Sequence, residues 1–439
     1  MSVVTESRKP TSIVQVATAS LIGTSIEWYD FFIFGTAAAL AFPKLFFPTL
    51  SPISGQLASY LVFWVGFLGR PLGGIIFGHY GDRIGRKRML VLTILLMGTG
   101  TFLIGVLPTY GMVGILAPIL LIILRLCQGV AVGGEWGGAV LMATEHSPAH
   151  RRGFFGSWPQ IGVPVGVILS SLIFNAVAVW FPGASLLSIG WRIPFLLSII
   201  LVAVGLFIRM RITETPDFER LKETQSIDRV PILSVLRHNW KTVLLAGGAF
   251  FVVNGAFYIF ITFLVGYSTG ILHVPSSYIF NATLIGSVIS LVVLPLAGAW
   301  TDRVGRLPVY LGGAILMAVV AFPIFWLVDM KSPWTIILGV CLGQFALSLM
   351  YGPQAAFFSE LFGANVRYSG ASLGYQAASV VAGGLAPTIA VTLLLWSGNA
   401  SWPIAVYIIV MSAITFVSVY LAGETRPASV AAASGSAGD

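Results

Sequence analysis

Five ionisable side chains lie deep within apolar runs of this 439-residue chain. Glu27 and Asp30 lie in the first run, Arg70 in the second, and Arg125 and Glu135 in the fourth. An ionisable group near the centre of a bilayer costs at least about 2.5–3.5 kcal/mol, so each one implies a role or a partner. If the runs are membrane spans, these five residues are the candidates for proton chemistry.

Glu27 and Asp30 are i,i+3 neighbours on one helix face, and two negative charges in a low-dielectric site favour protonation of at least one. A nearby arginine opposes that protonation. A carboxylate that holds an arginine when charged and releases it when protonated can link protonation to a conformational change. The alternative is a permanent structural ion pair in which Arg70 is the partner. Glu135 is either a second proton site or a brace on Arg70.

The elements that position these residues follow from composition. The chain is 57% hydrophobic and only 9% charged, which excludes an ordinary soluble protein. A membrane helix needs about 20 apolar residues, and long runs without alternating polarity exclude a membrane barrel. Cys127 and Cys341 lie far apart in apolar runs and predict packing roles. The predicted spans are 13–42, 56–80, 89–108, 114–144, 154–181, 190–210, 241–270, 277–300, 308–329, 334–359, 368–397 and 402–423.

The basic residues orient these twelve spans. If the N-terminus is cytoplasmic, most of the 24 basic residues lie at the cytoplasmic ends of spans, Arg209 among them. Only Lys44, Arg192 and Lys331 lie outside. The positive-inside rule therefore predicts that both termini are cytoplasmic. The net charge of +8 then reports orientation, and no nucleic-acid partner is expected.

The chain contains an internal repeat. The loops after spans two and eight both fit GxxxDRxGR and lie half a chain length apart, and a Glu precedes an Arg by seven residues after spans four and ten. The sequence thus predicts two six-helix bundles, 1–210 and 241–423, a cytoplasmic linker, 211–240, and a disordered tail, 424–439. The loop charges are predicted to form a cytoplasmic gate or, alternatively, to serve only topology and packing. They are Asp82, Arg83, Arg86, Glu145, Arg152, Asp302, Arg303, Arg306, Glu360 and Arg367.

Several motifs carry a family resemblance over nearly the whole chain. They include Ile26-Glu27-Trp28-Tyr29-Asp30-Phe31, Arg70-Pro71-Leu72-Gly73-Gly74, Gly133-Gly134-Glu135-Trp136-Gly137-Gly138 and the repeated loop motif. Together they resemble the major facilitator superfamily, and within it the metabolite:proton symporters, which include shikimate, α-ketoglutarate, citrate and proline/betaine permeases. The resemblance implies an all-α fold of twelve transmembrane helices. It also implies that Asp30 carries the proton and that Arg125 is its partner, as in related sugar porters.

The resemblance further implies a central cavity lined by helices 1, 4, 7 and 10 with parts of 2, 5, 8 and 11. Any single polar side chain there is either a ligand contact or an interhelical hydrogen bond. The candidates are Gln160, Asn254, Tyr258, Tyr351, Gln354, Tyr375 and Gln376.

These features predict a proton-coupled symporter that imports a small polar metabolite across the bacterial inner membrane. Arg70 and Arg125 favour an organic carboxylate, because arginine binds carboxylates with two hydrogen bonds. A proline/betaine-type osmolyte symporter or an uncoupled facilitator or exchanger is the alternative. No nucleotide-binding loop or metal-ligand cluster occurs, so we expect no enzyme activity, metal or cofactor. The expected partners are the substrate, the proton and the lipid bilayer, and the expected state is a monomer.

Overall fold

The computed structural model describes residues 12–223 and 231–427, and this part of the chain is helical without strands. The prediction of an all-α fold is therefore confirmed. Its long helices are numbered α1–α12. In the first half they are Ile13–Leu40, Pro52–Ile84, Arg86–Val106, Leu116–His146, Arg152–Trp180 and Arg192–Met210. In the second they are Trp240–Ile271, Ser276–Val304, Arg306–Asp329, Pro333–Leu361, Arg367–Trp396 and Trp402–Ala422.

Eleven helices in the described residues are long and apolar enough to cross a membrane. The exception among the long helices is α1, although it has 28 residues. Its run contains Glu27, Asp30 and several hydroxyl side chains, which lower its hydropathy. The same polar residues that make α1 a candidate for chemistry therefore remove it from the set of clearly apolar spans.

The segment between the halves contains two short helices, Pro216–Glu223 and Pro231–His238, and residues 224–230 of the predicted linker lie outside the described residues. The predicted disordered tail falls mostly on 428–439, which also lie outside them. Glu424, at its start, is held in place, because its carboxylate accepts hydrogen bonds from backbone N–H groups of Arg306 (2.9 Å) and Leu307 (3.0 Å).

Equivalent helix pairs pack in the two halves. In the first half α1 packs on α5, α2 on α4 and α3 on α6; in the second α7 packs on α11, α8 on α10 and α9 on α12. Between the halves, α2 packs on α11 and α5 on α8. These contacts are what a duplicated unit with a pseudo-twofold axis produces.

Glycines allow the closest of these contacts. Gly73 of α2 and Gly133 of α4 face each other, and a Cβ on either would overlap the backbone of the opposite helix. Small residues let helix backbones approach in membranes, where packing replaces the hydrophobic effect as the driving force. Arg70 and Glu135 lie on these same two helices, and both are buried inside the first half.

The third helix of each half begins and is capped in the same way. Gly85 and Gly305, the second-last residues of the two GxxxDRxGR motifs, each separate two long helices. Their φ values of 116° and 99° favour glycine. Glu214, which follows α6, accepts hydrogen bonds from the first two backbone N–H groups of α3 at 3.1 and 3.2 Å, as Glu424 does for α9. Burial raises the pKa of the Glu214 carboxyl, and these hydrogen bonds oppose the rise.

Candidate functional site

A cavity of about 520 Å³, including the space at its mouth, lies between the two halves. Its first-half wall consists of one aromatic and three aliphatic residues, Trp28, Val163, Pro164 and Val167. Its second-half wall carries most of the polar groups, which are Asn254, Ser287, Ser290, Gln344, Ser348, Tyr351 and Tyr375. The second-half wall also contains Phe250, Val253, Phe257, Leu294 and Leu347. The cavity thus has one apolar wall and, opposite it, a wall of mixed polarity that holds the polar groups and that we call the polar wall. Its lining contains no charged residue among those the structure describes.

The serine hydroxyl groups of the polar wall donate back to their own helices, whereas those of Tyr351 and Tyr375 lie 3.4 Å apart and hydrogen-bond to each other. Ser287 donates to Thr283 O (2.9 Å), Ser290 to Gly286 O (3.2 Å) and Ser348 to Gln344 O (2.7 Å). Their oxygens keep lone pairs that can accept hydrogen bonds from a ligand. Asn254 adds a donor, because its Nδ2 is buried and has no hydrogen-bond partner among the described residues.

Three of the seven predicted cavity residues, Asn254, Tyr351 and Tyr375, line this cavity. The ring of Tyr375 stacks between Trp136 and Phe250, with centroids 3.8 Å from each. Trp136 belongs to the first half, so this stack joins the two halves beside the cavity.

The other four predicted cavity residues are buried but do not line the cavity. Gln160 accepts from Trp136 Nε1 (2.9 Å) and donates to Tyr351 O (3.2 Å), which makes it an interhelical brace. Gln376 donates to the backbone oxygens of Val132 and Gly133, at 3.4 and 3.3 Å. Tyr258 packs against the ring of Phe67, and Gln354 is fully buried.

Asp30 is fully buried in the first half. Its Oδ2 accepts a hydrogen bond from Thr101 Oγ1 at 2.8 Å. Thr101 Oγ1 accepts from Gln128 Nε2 at 2.8 Å, and Gln128 Oε1 accepts from Arg125 Nη1 at 3.2 Å. No ion pair within 4.0 Å joins Asp30 to Arg125 or Arg70 in the described residues. The structure therefore links Asp30 to Arg125 through two neutral side chains.

The two intramembrane arginines lie among aromatic rings. The Arg70 guanidinium is 4.4 Å from the Phe67 ring centroid and 4.8 Å from that of Phe31. Arg125 is 4.7 Å from the Phe31 centroid and 4.2 Å from that of Phe34. Phe31, next to Asp30 in sequence, thus contacts both cations. Cation–π contacts of this kind are strongest where water is excluded.

A second, smaller cavity, about 250 Å³ by the same measure, lies inside the first half. Glu27, Asp30, Thr93 and Glu135 are its polar lining residues. Glu27 Oε2 and Asp30 Oδ1 are buried and have no hydrogen-bond partner within the described residues. The structure therefore brings together the three carboxylates that the sequence placed on two different spans.

Glu135 binds Arg209, not Arg70. Arg209 Nη1 donates to Glu135 Oε2 at 2.7 Å, Arg209 Nη2 pairs with Glu135 Oε1, and Thr93 Oγ1 donates to Oε2 at 3.1 Å. The predicted brace on Arg70 is therefore wrong. Arg209 lies in the last turn of α6, but it is buried there and its side chain turns into the bundle. The arginine can turn inwards because it passes over Gly23 of α1, which has no side chain to block it.

At one end of the bundle, which we call the motif end, each GxxxDRxGR aspartate binds the other half. Asp82 accepts from Ser369 N (2.9 Å), Ser369 Oγ (2.8 Å) and Tyr368 N (3.3 Å) at the start of α11. Asp302 accepts from Gly153 N (2.8 Å) and Phe154 N (2.9 Å) at the start of α5. A carboxylate at a helix N-terminus is favoured by unpaired N–H groups and the helix dipole. The two aspartates thus join the two halves at the motif end.

Ion pairs surround these contacts. Glu145 pairs with Arg86 at 3.3 Å and, across the halves, with Arg367 at 3.1 Å. In the second half Arg306 pairs with Glu360 at 3.1 Å and with Asp302 at 2.7 Å. Seven of the ten predicted gate residues therefore form two ion-paired groups, which we call together the charged cluster. One group is Asp82, Arg86, Glu145 and Arg367, and the other is Asp302, Arg306 and Glu360.

The remaining three predicted gate residues are Arg83, Arg152 and Arg303. Arg83 and Arg303 are exposed, and none of the three forms an ion pair within the described parts of the chain. Of the two repeated Glu–Arg motifs, the glutamate of the first, Glu145, pairs with the arginine of the second, Arg367. The equivalent pair of Glu360 with Arg152 is not formed in the described residues.

Sequence reasoning missed five functional candidates outright: Thr101, Gln128, Ser287, Ser290 and Ser348. Isolated hydroxyl and amide residues are common in membrane helices and carry no charge to mark them. The signal that was available is the i,i+3 spacing of Arg125 and Gln128 and of Ser287 and Ser290, which places each pair on one helix face.

Comparison with known proteins adds to this geometry. Residues 21–387 match the family model described as Major Facilitator Superfamily. The shikimate transporter of Escherichia coli (strain K12) is 39% identical over 425 residues, which cover 94% of this chain and 95% of that one. The proline/betaine transporter of the same strain is 34% identical over 420 residues, which cover 93% of this chain and 83% of that one.

Among solved structures, the proton:xylose symporter XylE bound to 6-bromo-6-deoxy-D-glucose has a TM-score of 0.77 at 18% identity. The match covers 94% of this chain and 96% of that one, and it shows a shared fold. The helix bundle, the repeated loop motif and the relatives all indicate the same family. The chain belongs to the major facilitator superfamily and is a multi-pass transporter of the bacterial inner membrane, not an enzyme.

Proposed function

We propose that this transporter is a proton-coupled symporter that imports a small organic carboxylate by alternating access. The observation that carries the proposal is the buried Asp30, which lies in the half that forms one wall of the central cavity and is linked by hydrogen bonds to a buried arginine. No cofactor takes part, because the proton gradient supplies the energy.

Asp30 is the proton carrier in this proposal and Arg125 is its conformational partner. When Asp30 is charged, the hydrogen-bond donors of the side chains that link it to Arg125 point towards its carboxylate. When it is protonated, that attraction is lost and the helices around Arg125 can rearrange. Glu27 and Glu135 share the small cavity with Asp30 and are the alternative proton sites.

The substrate class follows from the two walls of the cavity. An apolar wall suits a carbon ring or chain, and an opposite wall of hydroxyl and amide groups suits ligand hydroxyls. Shikimate, named for the 39% identical relative, is a hydroxylated cyclic carboxylate and has this character. Arg70 is the cation we assign to the carboxylate. It lies 5.9 Å from the ring of the lining residue Trp28, and no acidic side chain lies within 4.0 Å of it in the described residues.

A proline/betaine-type substrate is the second candidate. The aromatic rings of Trp28, Tyr351 and Tyr375 line the cavity, and such rings bind quaternary ammonium groups through cation–π contacts. The absence of a charged lining residue among the described ones suits a zwitterion as well.

We further propose that all twelve long helices span the membrane, with both termini and the motif end in the cytoplasm. The charged cluster at the motif end is then the cytoplasmic gate, closed in this conformation. Substrate would enter the central cavity from the periplasm and leave when the contacts of Asp82 and Asp302 break. The transport unit in this proposal is a single chain.

The test is uptake into proteoliposomes with an imposed inside-alkaline pH gradient. The panel contains shikimate, dicarboxylates, α-ketoglutarate, aromatic acids, proline and betaine. We expect accumulation of a carboxylate above its external concentration, abolished by a protonophore. Accumulation that persists after collapse of both the pH gradient and the membrane potential contradicts symport. Accumulation of betaine alone selects the second candidate.

A further inference from the structure

The connection between Asp30 and Arg125 has a defined direction. Arg125 can only donate hydrogen bonds, so the atom of Gln128 that faces it must be the amide oxygen Oε1. The amide nitrogen Nε2 is therefore turned towards Thr101 Oγ1, to which it donates at 2.8 Å. Thr101 in turn has its own proton available for Asp30 Oδ2, at 2.8 Å. Every donor in the chain points from the cation towards the carboxylate.

Thr101 has a second acceptor within reach. Its Oγ1 lies 3.0 Å from Met97 O as well as 2.8 Å from Asp30 Oδ2. The hydroxyl can therefore donate to Asp30 when Asp30 is charged. It can also rotate to donate to Met97 O and accept from Asp30 when that oxygen carries the proton. Thr101 satisfies Asp30 in both protonation states, which matters because a buried polar group without a partner is strongly unfavourable.

The charged and titratable groups around Asp30 come from several helices. Tyr29 and Glu27 from α1 and Arg125 from α4 interact with Asp30 itself. Arg70 from α2, Glu135 from α4 and Arg209 from α6 interact with the neighbouring Glu27. Tyr29 donates to Pro194 O, and Glu135 is neutralised by Arg209. Within the described residues, the Thr101 hydroxyl is the side-chain hydrogen-bond donor to Asp30. The connection to Arg125 is thus made through hydroxyl and amide groups that stay uncharged at physiological pH.

We propose that Thr101 and Gln128 are positioning residues of the coupling site, through which the charge state of Asp30 is transmitted to Arg125. The inference rests on the proposed proton coupling. It replaces a direct carboxylate–arginine pair, in this conformation, with a relay of two neutral side chains. Loss of the Thr101 hydroxyl removes the donor that favours charged Asp30. Loss of the Gln128 amide disconnects Arg125 while leaving Asp30 and its donor in place.

The test compares Thr101→Val with Thr101→Ser and wild type in proteoliposomes. The readouts are the pH profile of gradient-driven uptake and substrate exchange at equal pH on both sides. Because valine has the shape of threonine without the hydroxyl, we expect the alkaline limb of the uptake profile to move up by about one pH unit in Thr101→Val. Thr101→Ser should retain the wild-type profile, and exchange should persist in both variants.

Gln128→Leu keeps the relay testable if Thr101→Val does not fold. We expect it to lose at least tenfold in gradient-driven accumulation relative to exchange. A wild-type profile in Thr101→Val, or an equal shift in Thr101→Ser, overturns the relay. If wild type itself shows no gradient-driven accumulation, the proposed symport is what fails.

Discussion

Removing the Asp82 carboxylate should open the motif end. Asp82→Ala deletes three hydrogen bonds to the start of α11, two of them to backbone N–H groups. With a net contribution of about 1 kcal/mol for each bond, since water replaces the lost acceptor, the closed state loses about 3 kcal/mol. That change lowers the ratio of closed to open molecules by about two orders of magnitude. Asp302→Ala deletes two such backbone bonds and should have a smaller effect.

The assay is a distance measurement between spin labels at the motif end. His150 and Asn365 are exposed on opposite halves, and cysteines there can be labelled in a chain in which Cys127 and Cys341 are replaced by Ser. We expect a single short distance in the parent, a dominant longer one in Asp82→Ala and a mixture in Asp302→Ala. Arg83→Gln is the matched control, because Arg83 adjoins Asp82 and is exposed. An unchanged distribution in Asp82→Ala, or an equal shift in the control, refutes the latch.

Three further predictions concern stability and the cavity. Glu135→Gln leaves Arg209 buried without its counter-charge and should lower the free energy of unfolding by about 3–5 kcal/mol. The loss appears as a lower thermal transition temperature in detergent, and the double variant Glu135→Leu with Arg209→Met should restore that temperature. An unchanged transition in the single variant contradicts the pairing. Gly133→Val should abolish folded yield by separating α2 from α4, whereas Gly111→Val, in open space, should not, and equal yields would show that the contact is not needed. Tyr375→Leu removes two ring stacks of about 0.5–1.5 kcal/mol each and should raise the KM for uptake about tenfold; an unaltered KM would remove Tyr375 from the cavity wall.

Much of the fold was predictable because membrane helices are marked by long apolar runs and by the charges between them. The repeated motif at Asp82 and Asp302 placed equivalent loops in the two halves, and the structure brings both loops to one end. Twelve spans are predicted, but α1 is not among the eleven helices apolar enough to cross a membrane in the described residues. The reason is that hydropathy measures the average polarity of a helix. A helix that carries Glu27 and Asp30 falls below the level of its neighbours even at full length.

The candidate site was only partly predictable. Charges buried in apolar runs stand out, so Asp30, Glu27 and Glu135 were found, and they share one small cavity. The ion-pair partners of these carboxylates are harder to predict, because they depend on which distant helices pack together. Arg209 looked like a loop-end charge, yet Gly23 leaves room for it to reach Glu135. Thr101 gives no signal in a single sequence, and the only signal for Gln128 is its i,i+3 spacing from Arg125.

Proton movement with substrate in wild type and in Asp30→Asn tests the central proposal most directly. Proteoliposomes loaded with a pH-sensitive dye report the internal pH when substrate is added outside. We predict substrate-dependent internal acidification in wild type. In Asp30→Asn we predict no acidification, together with retained exchange of labelled substrate. Acidification of normal size in Asp30→Asn contradicts the account and would move the proton site to Glu27 or Glu135.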